Sequence, residues 1–117
     1  AYNLETVLAE KLETVISRNV TNTRMRDFYD IYILQKLHGE QLKKQVLWNA
    51  LVATARKRGT LEQINSGDRR EIFDEIEISS VMENLWKTYQ KNYSYAADIS
   101  WHIIMKSICT LYGSMLK

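Results

Sequence analysis

Apolar residues recur along most of the chain at the three- and four-residue spacing of an α-helix. The first such segment predicts a helix from Leu4 to about Arg18, capped by Asn3. A second helix is expected over residues 24–37, capped by Thr23 and closed by Gly39, and its apolar residues on several sides predict a position at the centre of a bundle. Because only a short polar loop separates the two segments, we expect them to form an antiparallel hairpin.

The remaining sequence predicts further helices joined by short polar stretches. The sequence has no Pro and only four Gly, so it lacks the turn residues that usually separate the strands of a sheet. We therefore expect an all-α fold, a single compact bundle of about five to six helices. After the hairpin we expect a helix over residues 40–58 that is stopped by Gly59, and then an irregular stretch over 60–68. A weaker helix should follow over residues 68–78, and a further helix over 81–92 after a capping box at Ser80. The last helix should be capped by Asp98 or Ser100 and end near residue 116.

Composition narrows the class of protein. With 117 residues, 45% of them hydrophobic, the chain is expected to be a single domain over residues 1–117. A net charge of +2 does not indicate the strongly basic face of a nucleic-acid-binding domain. The single cysteine, Cys109, excludes an internal disulfide and is read as a small core residue.

The chain carries no apolar run near the roughly 20 residues of a membrane span, so we expect no membrane partner and a cytoplasmic location. It begins Ala1-Tyr2 without a Met and enters a helix almost at once. We therefore expect it to be an excised domain of a longer protein.

The charged residues at the start of the second helix are unfavourable for an ordinary core helix. Arg24 and Arg26 lie in the first turn, where the helix dipole disfavours each cation by about 0.3–1 kcal/mol. Asp27 and Asp30 follow, three residues apart on one face. Such a cluster of charges calls for either a structural pairing or a functional use.

Lys11 lies inside the apolar stripe of the first helix, so it either snorkels at the edge or is held against a charge. The hairpin can bring it to Asp27 and Asp30. Such a contact could be an inter-helix salt bridge that fixes register, or a functional site. No nucleophile–base set or Gly-rich phosphate loop is found, and His38 and His102 lack metal-ligand spacing, so no metal-binding residue is assigned.

Two segments, in this order, closely resemble the nucleotidyl transferase AbiEii/AbiGii toxin family. They are LETVLAEKLE at residues 4–13 and NTRMRDFYDIY at residues 22–32. Residues 53–60 and the pattern Trp86, Tyr89, Tyr95, Trp101 resemble the later helices of the family more weakly. The resemblance covers most of the chain and corresponds to the C-terminal helical part of the family's proteins.

The resemblance implies a parent enzyme of the DNA polymerase β-like nucleotidyltransferase superfamily, acting as the toxin of a bacterial toxin–antitoxin or phage-defence pair. In that family a Gly-Ser motif and an Asp-x-Asp pair on an N-terminal sheet hold the nucleoside triphosphate and Mg²⁺. That pair of motifs is not found together in this sequence, so the N-terminal nucleotidyltransferase core is expected to be absent. Catalysis by these 117 residues alone is not expected.

The same resemblance implies roles for individual residues. Lys11 matches the lysine of the third family motif and would neutralise triphosphate charge, and Asp27 and Asp30 match the aspartate motif, with the key acid left open. Arg24 and Arg26 would then lie beside a phosphate. The acceptor is unknown, RNA being one candidate, and a cognate antitoxin is the expected protein partner.

Two other functions stay open from the sequence. The chain could be a non-catalytic helical interaction module that binds an antitoxin or self-associates, with purely structural charged pairs. It could also be an RNA-binding bundle that uses Arg24, Arg26 and the basic residues 56–58, although a solvated helix end is the favoured explanation for those last three. If a domain has been removed, an exposed apolar patch near Leu4, Leu8 and Met25 is expected, and it would favour a homodimer.

Overall fold

Helices account for nearly all of the backbone in this computed structural model, which describes residues 3–65 and 69–115. No strand occurs among these residues, so the predicted all-α class is confirmed. Three 3₁₀ turns, Asn19–Thr21, Gly39–Gln41 and Ser94–Ala96, join some of the helices. The α-helices of the described ranges are α1 (Leu4–Arg18), α2 (Met25–His38), α3 (Lys44–Arg58), α4 (Leu61–Asn65), α5 (Arg69–Ile78), α6 (Ser80–Asn92) and α7 (Trp101–Met115).

The central helix of the bundle is α1, and the predicted central position of the second helix is wrong. Leu8, Leu12 and Val15 are fully buried, and α1 packs against α2, α3, α4 and α5. By contrast, α2 buries mainly one face and leaves its tyrosines at the boundary with solvent. Tyrosine can do this because it combines an apolar ring with a polar hydroxyl, so its presence in a helix does not require full burial.

Two buried acids of α1 hold the two ends of α3. Glu5 Oε2 accepts a hydrogen bond from Lys43 N at 2.8 Å, at the start of α3. At the other end, Glu13 binds Arg58 Nη1 at 2.5 Å and accepts from Thr60 Oγ1 at 2.7 Å. Because the earlier acid meets the start of α3 and the later acid meets its end, α1 and α3 run in the same direction.

Aromatic side chains fill the other side of the core. Trp86 and Trp101 are buried as expected, and each indole N–H donates to a backbone carbonyl, that of Ile99 at 2.8 Å and that of Glu77 at 3.3 Å. Such partners allow a large aromatic to be buried without an unpaired donor. Trp48 and Cys109 are partly buried and pack against the same core.

The predicted caps are partly confirmed. Asn3 Oδ1 accepts from Thr6 N at 3.2 Å and caps α1. At α2, however, Thr23 does not cap the helix; Asn22 Oδ1 instead accepts from Arg24 N at 3.0 Å, and the helix begins one residue later than predicted. Both Asn and Thr favour such local side-chain hydrogen bonds, so the sequence alone did not separate them.

A similar one-residue shift occurs at α6. Ser79, rather than Ser80, accepts from Met82 N at 3.2 Å, so the predicted capping box is wrong. For the last helix, Ser100 is the cap, with its Oγ accepting from Ile103 N at 3.1 Å. The predicted helix start at residue 68 and helix end near residue 116 lie outside the described residues.

The middle of the chain departs from prediction in two places. Residues 40–43 are not α-helical, and α3 begins at Lys44. Residues 61–65 form α4 rather than an irregular stretch, because Ile64 is buried in the core and its amide bonds back to Thr60 O. The predicted stop at Gly59 is confirmed, since this residue adopts φ +76°, a left-handed conformation that favours glycine.

The expected apolar patch is not found at the positions predicted for it. Leu8 and Met25 are buried, and Leu4 is half-buried against the core. Their side chains serve the fold of this domain rather than an interface, so homodimer formation through them has no support and self-association stays a prediction. Across the described ranges, none of the helices is both long and apolar enough to pass through a lipid bilayer.

Candidate functional site

Lys11 is held between two aspartates. Its Nζ lies 3.0 Å from Asp30 Oδ2 and 3.6 Å from Asp27 Oδ1. The helical hairpin brings these residues together, because the connection between α1 and α2 spans only residues 19–24. The Lys11 side chain is 22% exposed and that of Asp27 only 6%, so the cluster lies at a rim rather than in bulk solvent. Lys11 is therefore paired rather than snorkelling.

The first-turn arginines of α2 belong to the same cluster. Arg24 Nε lies 3.8 Å from Asp27 Oδ2, and Arg26 Nε lies 3.7 Å from Asp30 Oδ2. Both arginine side chains are 69% exposed. The pairing accounts for cations at a helix start, since each lies beside an acid one turn later. It leaves most of each guanidinium accessible to an anion.

A pocket of about 520 Å³ opens beside this cluster. It lies along one face of α1, between the start of α2 and the end of α3. Asp30 and Arg26 are not among the residues that line it, so the pocket lies on the Asp27 side of the lysine. Its lining consists of Val7, Glu10, Lys11, Thr14, Arg24, Asp27 and Arg58.

Arg58 lines this pocket, although the sequence did not place it beside Lys11. Its Nη1 is held by the buried Glu13 carboxylate and lies 3.3 Å from Thr14 Oγ1. The sequence favours a solvated helix end over RNA binding for the basic residues 56–58, whereas in the structure Glu13 fixes the position of Arg58. A sequence signal existed: Glu5, Ala9 and Glu13 recur every four residues, which places two acids on one face of a central helix.

The other side of the cluster is aromatic. Tyr29 directly precedes Asp30 on α2, and its ring lies 6.3 Å from that of Tyr89. Burial raises the pKa of the Tyr89 phenol, as do its hydrogen bond to Tyr95 and the nearby charge of Asp30, while Arg26 lowers it. Burial likewise raises the pKa of Tyr29. The charged cluster and these phenols are therefore close enough to influence one another electrostatically.

The described residues do not fit the Mg²⁺ that the resemblance implies. They contain no group of three or more His, Cys, Asp or Glu side chains able to hold a metal ion. The carboxylates of Asp27 and Asp30 point at Lys11 and the arginines, which already neutralise them. We therefore place no metal at these residues.

Other candidate features lie apart from the cluster. The chain's Gly-Ser dipeptide, Gly113-Ser114, falls inside α7, where Ser114 Oγ donates to Leu111 O at 2.7 Å. It is thus part of a helix and not a phosphate-binding turn after a strand. His102 Nδ1 lies 2.7 Å from Glu77 Oε2 at the surface, which is a local pair between α7 and α5.

A protein-family model matches most of the chain. The family model described as "Nucleotidyl transferase AbiEii toxin, Type IV TA system" matches residues 1–107 of the chain. No curated protein and no solved structure matches it. The matched range contains the lysine–aspartate cluster, both arginines of α2 and Arg58.

Proposed function

The chain belongs to the AbiEii nucleotidyl transferase toxin family of type IV toxin–antitoxin systems, and from this we propose that it supplies one wall of a nucleotidyltransferase active site. Membership of a toxin–antitoxin family implies an antitoxin as partner. The substrate is a nucleoside triphosphate, and the chain contributes Lys11, Asp27 and Asp30 to its use.

The observation that carries the proposal is the double pairing of Lys11. An ammonium held at 3.0 Å and 3.6 Å from two carboxylates is fixed in position before any substrate arrives. Fixed charges lower the barrier of phosphoryl transfer because they need no reorganisation as negative charge develops. A single partner would be enough for a register-fixing salt bridge, whereas Lys11 has two partners and lines a pocket together with Asp27, which favours a site.

The roles follow from the order of residues around the pocket. Lys11 would neutralise phosphate charge, with Asp27, the more buried acid, holding its ammonium in place. Asp30, which is more exposed and lies outside the pocket lining, would hold the same ammonium from its other side at 3.0 Å. Arg24 and Arg58 line the pocket with Lys11, so three cations face the same volume.

The remaining parts of such a site would come from outside the described residues. The Mg²⁺ that phosphoryl transfer uses would be bound by carboxylates elsewhere, because Asp27 and Asp30 are already paired with cations. The chain's own contribution is to bind and orient phosphate oxygens and to hold the charge that balances them.

Binding of inorganic tripolyphosphate, measured by calorimetry, tests the pocket without assuming a particular base. Lys11→Met and Arg58→Met are each expected to weaken binding, because each removes a cation that lines the pocket. The matched control is Arg56→Met, which removes an exposed cation two residues from Arg58 but outside the pocket lining. If all three variants weaken binding equally, the effect is general surface charge, and the interaction-module reading is favoured instead.

A further inference from the structure

Glu13 is a buried acid of α1 with two partners at the end of α3. Its side chain is 2% exposed, and its Oε1 accepts a hydrogen bond from Arg58 Nη1 at 2.5 Å. Its Oε2 accepts from Thr60 Oγ1 at 2.7 Å. The backbone closes the helix end between these partners, because Gly59 is left-handed and Thr60 N donates to Ala55 O at 2.8 Å. Glu13 and the closed helix end therefore hold Arg58 in one place.

The Arg58 guanidinium is held through one of its nitrogens. Nη1 binds Glu13 and lies 3.3 Å from Thr14 Oγ1, while the Arg58 side chain as a whole is 43% exposed. Among the described residues, Nε and Nη2 have no hydrogen-bond partner. A guanidinium carries five N–H donors in a planar fork, so the fork can bind an acid at one corner and an anion at another. Because Arg58 lines the pocket, its remaining donors are available to an anion there.

Lys11 and Arg58 reach the pocket from two different helices. Asp27 and Asp30 of α2 hold the Lys11 ammonium at 3.6 Å and 3.0 Å. Arg58 instead comes from the end of α3 and meets α1 at Thr14, three residues or about 4.5 Å of helix rise after Lys11. Each cation has an acid of its own, so both are in place together. A chain of phosphate groups can therefore contact both cations, whereas a single phosphate group has one centre of charge.

We propose that Glu13 is a positioning residue that fixes Arg58 on one phosphate group of a polyphosphate chain while Lys11 binds another group of the same chain. The pocket thereby selects a di- or triphosphate over a single phosphate. This rests on the proposed function, in which Lys11 acts on a nucleoside triphosphate, and it adds the residue that sets how many phosphate groups are bound. Without Glu13, the ligand itself would have to order the long Arg58 side chain, which weakens binding.

The test compares tripolyphosphate, titrated by calorimetry, with orthophosphate, measured by its competition with tripolyphosphate. Arg58→Met is expected to weaken tripolyphosphate binding about 10- to 150-fold, because charge-assisted hydrogen bonds are lost. Glu13→Gln keeps every cation of the pocket and should still weaken it about 2- to 13-fold, the effect of having to order one long side chain. Orthophosphate binding should change less in both variants, so the preference for tripolyphosphate over orthophosphate falls.

Thr60→Val is the matched control for effects on the fold. It removes the other hydrogen bond of Glu13 but leaves the Glu13–Arg58 pair in place, so the preference for tripolyphosphate should stay at the parent value. Arg58→Lys gives an independent check that does not disturb the buried acid. A lysine ammonium held by Glu13 has no planar fork left for phosphate, so this variant should lose the preference nearly as far as Arg58→Met does.

An unchanged or higher preference for tripolyphosphate in Glu13→Gln, with a normal thermal melt, overturns the proposal, and a higher one would mean that the acid only offsets the positive charge of the pocket. Equal losses in Glu13→Gln and Thr60→Val also overturn it, as does a retained preference in Arg58→Lys. Tripolyphosphate binding that depends on Lys11 and Arg58 but not on Glu13 removes this inference and leaves the proposed function standing. Binding that none of these three residues affects removes both.

Discussion

The buried carboxylate of Glu13 binds Arg58 Nη1 at 2.5 Å, across 45 residues of sequence. Glu13 lies two residues after Lys11 on α1, and Arg58 is the last residue of α3. This pair therefore brings the basic end of α3 to the pocket that Lys11 lines. A single contact both fastens two helices and positions a cation, and these two contributions can be measured separately.

Glu13→Ala is expected to lower the free energy of unfolding by about 2–4 kcal/mol, because Arg58 and Thr60 both lose their carboxylate partner. Glu13→Gln keeps an acceptor for the Thr60 hydroxyl and should cost about 1–2 kcal/mol. Urea unfolding measures both values. Glu10→Ala, an exposed acid on the same helix, is the control and should stay within about 0.5 kcal/mol of the parent. A loss no larger in Glu13→Ala than in this control would show that the buried acid does not fasten α3.

Two glycines offer a matched pair of alanine substitutions. An added Cβ meets no atom within 4 Å at either Gly59 or Gly113, so crowding plays no part. Gly59 has φ +76°, and Gly59→Ala should lower stability by about 1–2 kcal/mol because L-residues disfavour that conformation. Gly113 lies inside α7, and Gly113→Ala should raise stability by up to about 1 kcal/mol. Thermal melts of the two variants should shift in opposite directions, and shifts of the same sign would contradict this reading.

Local signals predicted those parts of the fold that depend on a few neighbouring residues. The Asn3 cap and the Gly59 stop are examples, since each is settled by one side chain and one turn of backbone. The contact of Lys11 with the acids of α2 was also predictable, because two amphipathic helices joined by a short connection pack against each other as an antiparallel hairpin.

The features that the sequence did not reveal depend on distant contacts. Helix α4 has little periodic signal, and it exists because Ile64 fits the core. The position of Arg58 depends on Glu13, 45 residues earlier, and no local pattern pairs them. The central position of α1 likewise follows from how many helices surround it, which its own spacing does not specify.

Alkaline pH should weaken the fold through Tyr29 and Tyr89. The pKa values of Tyr29 and Tyr89 are raised in the folded state, first by burial, above the ordinary value of 10.0. The folded state therefore favours the neutral phenols. Their contribution to the free energy of unfolding is complete below about pH 10, and it is lost above that pH because the same tyrosines ionise more readily in the unfolded chain. Urea unfolding at a series of pH values should show stability falling above about pH 10, with a shallower fall in Tyr89→Phe. Tyr32→Phe, which leaves both of these phenols in place, is the control, and an equally steep fall in Tyr89→Phe would exclude this phenol as the cause.

The last prediction separates the structural and the functional use of the lysine–aspartate cluster. Lys11→Met keeps the apolar stem but leaves Asp27, with a 6% exposed side chain, with Arg24 at 3.8 Å as its remaining cation among the described residues. Stability should fall by about 1–3 kcal/mol, between the values for surface and buried pairs. In the double variant Lys11→Met/Asp27→Asn the unpaired buried charge is gone, so much of that stability should return.

Activity should not return with it. If Lys11 acts on phosphate as proposed, growth inhibition and nucleotide transfer should fall by about 10²–10³ in both the single and the double variant. Leu8→Ala provides the reverse control: it removes a fully buried side chain and should cost about 2–5 kcal/mol while the folded fraction keeps its activity. Recovery of full toxicity in the double variant, together with recovered stability, would mean that the cluster only fastens α1 to α2, because a neutral pair of side chains would then serve the toxin as well as a charged one.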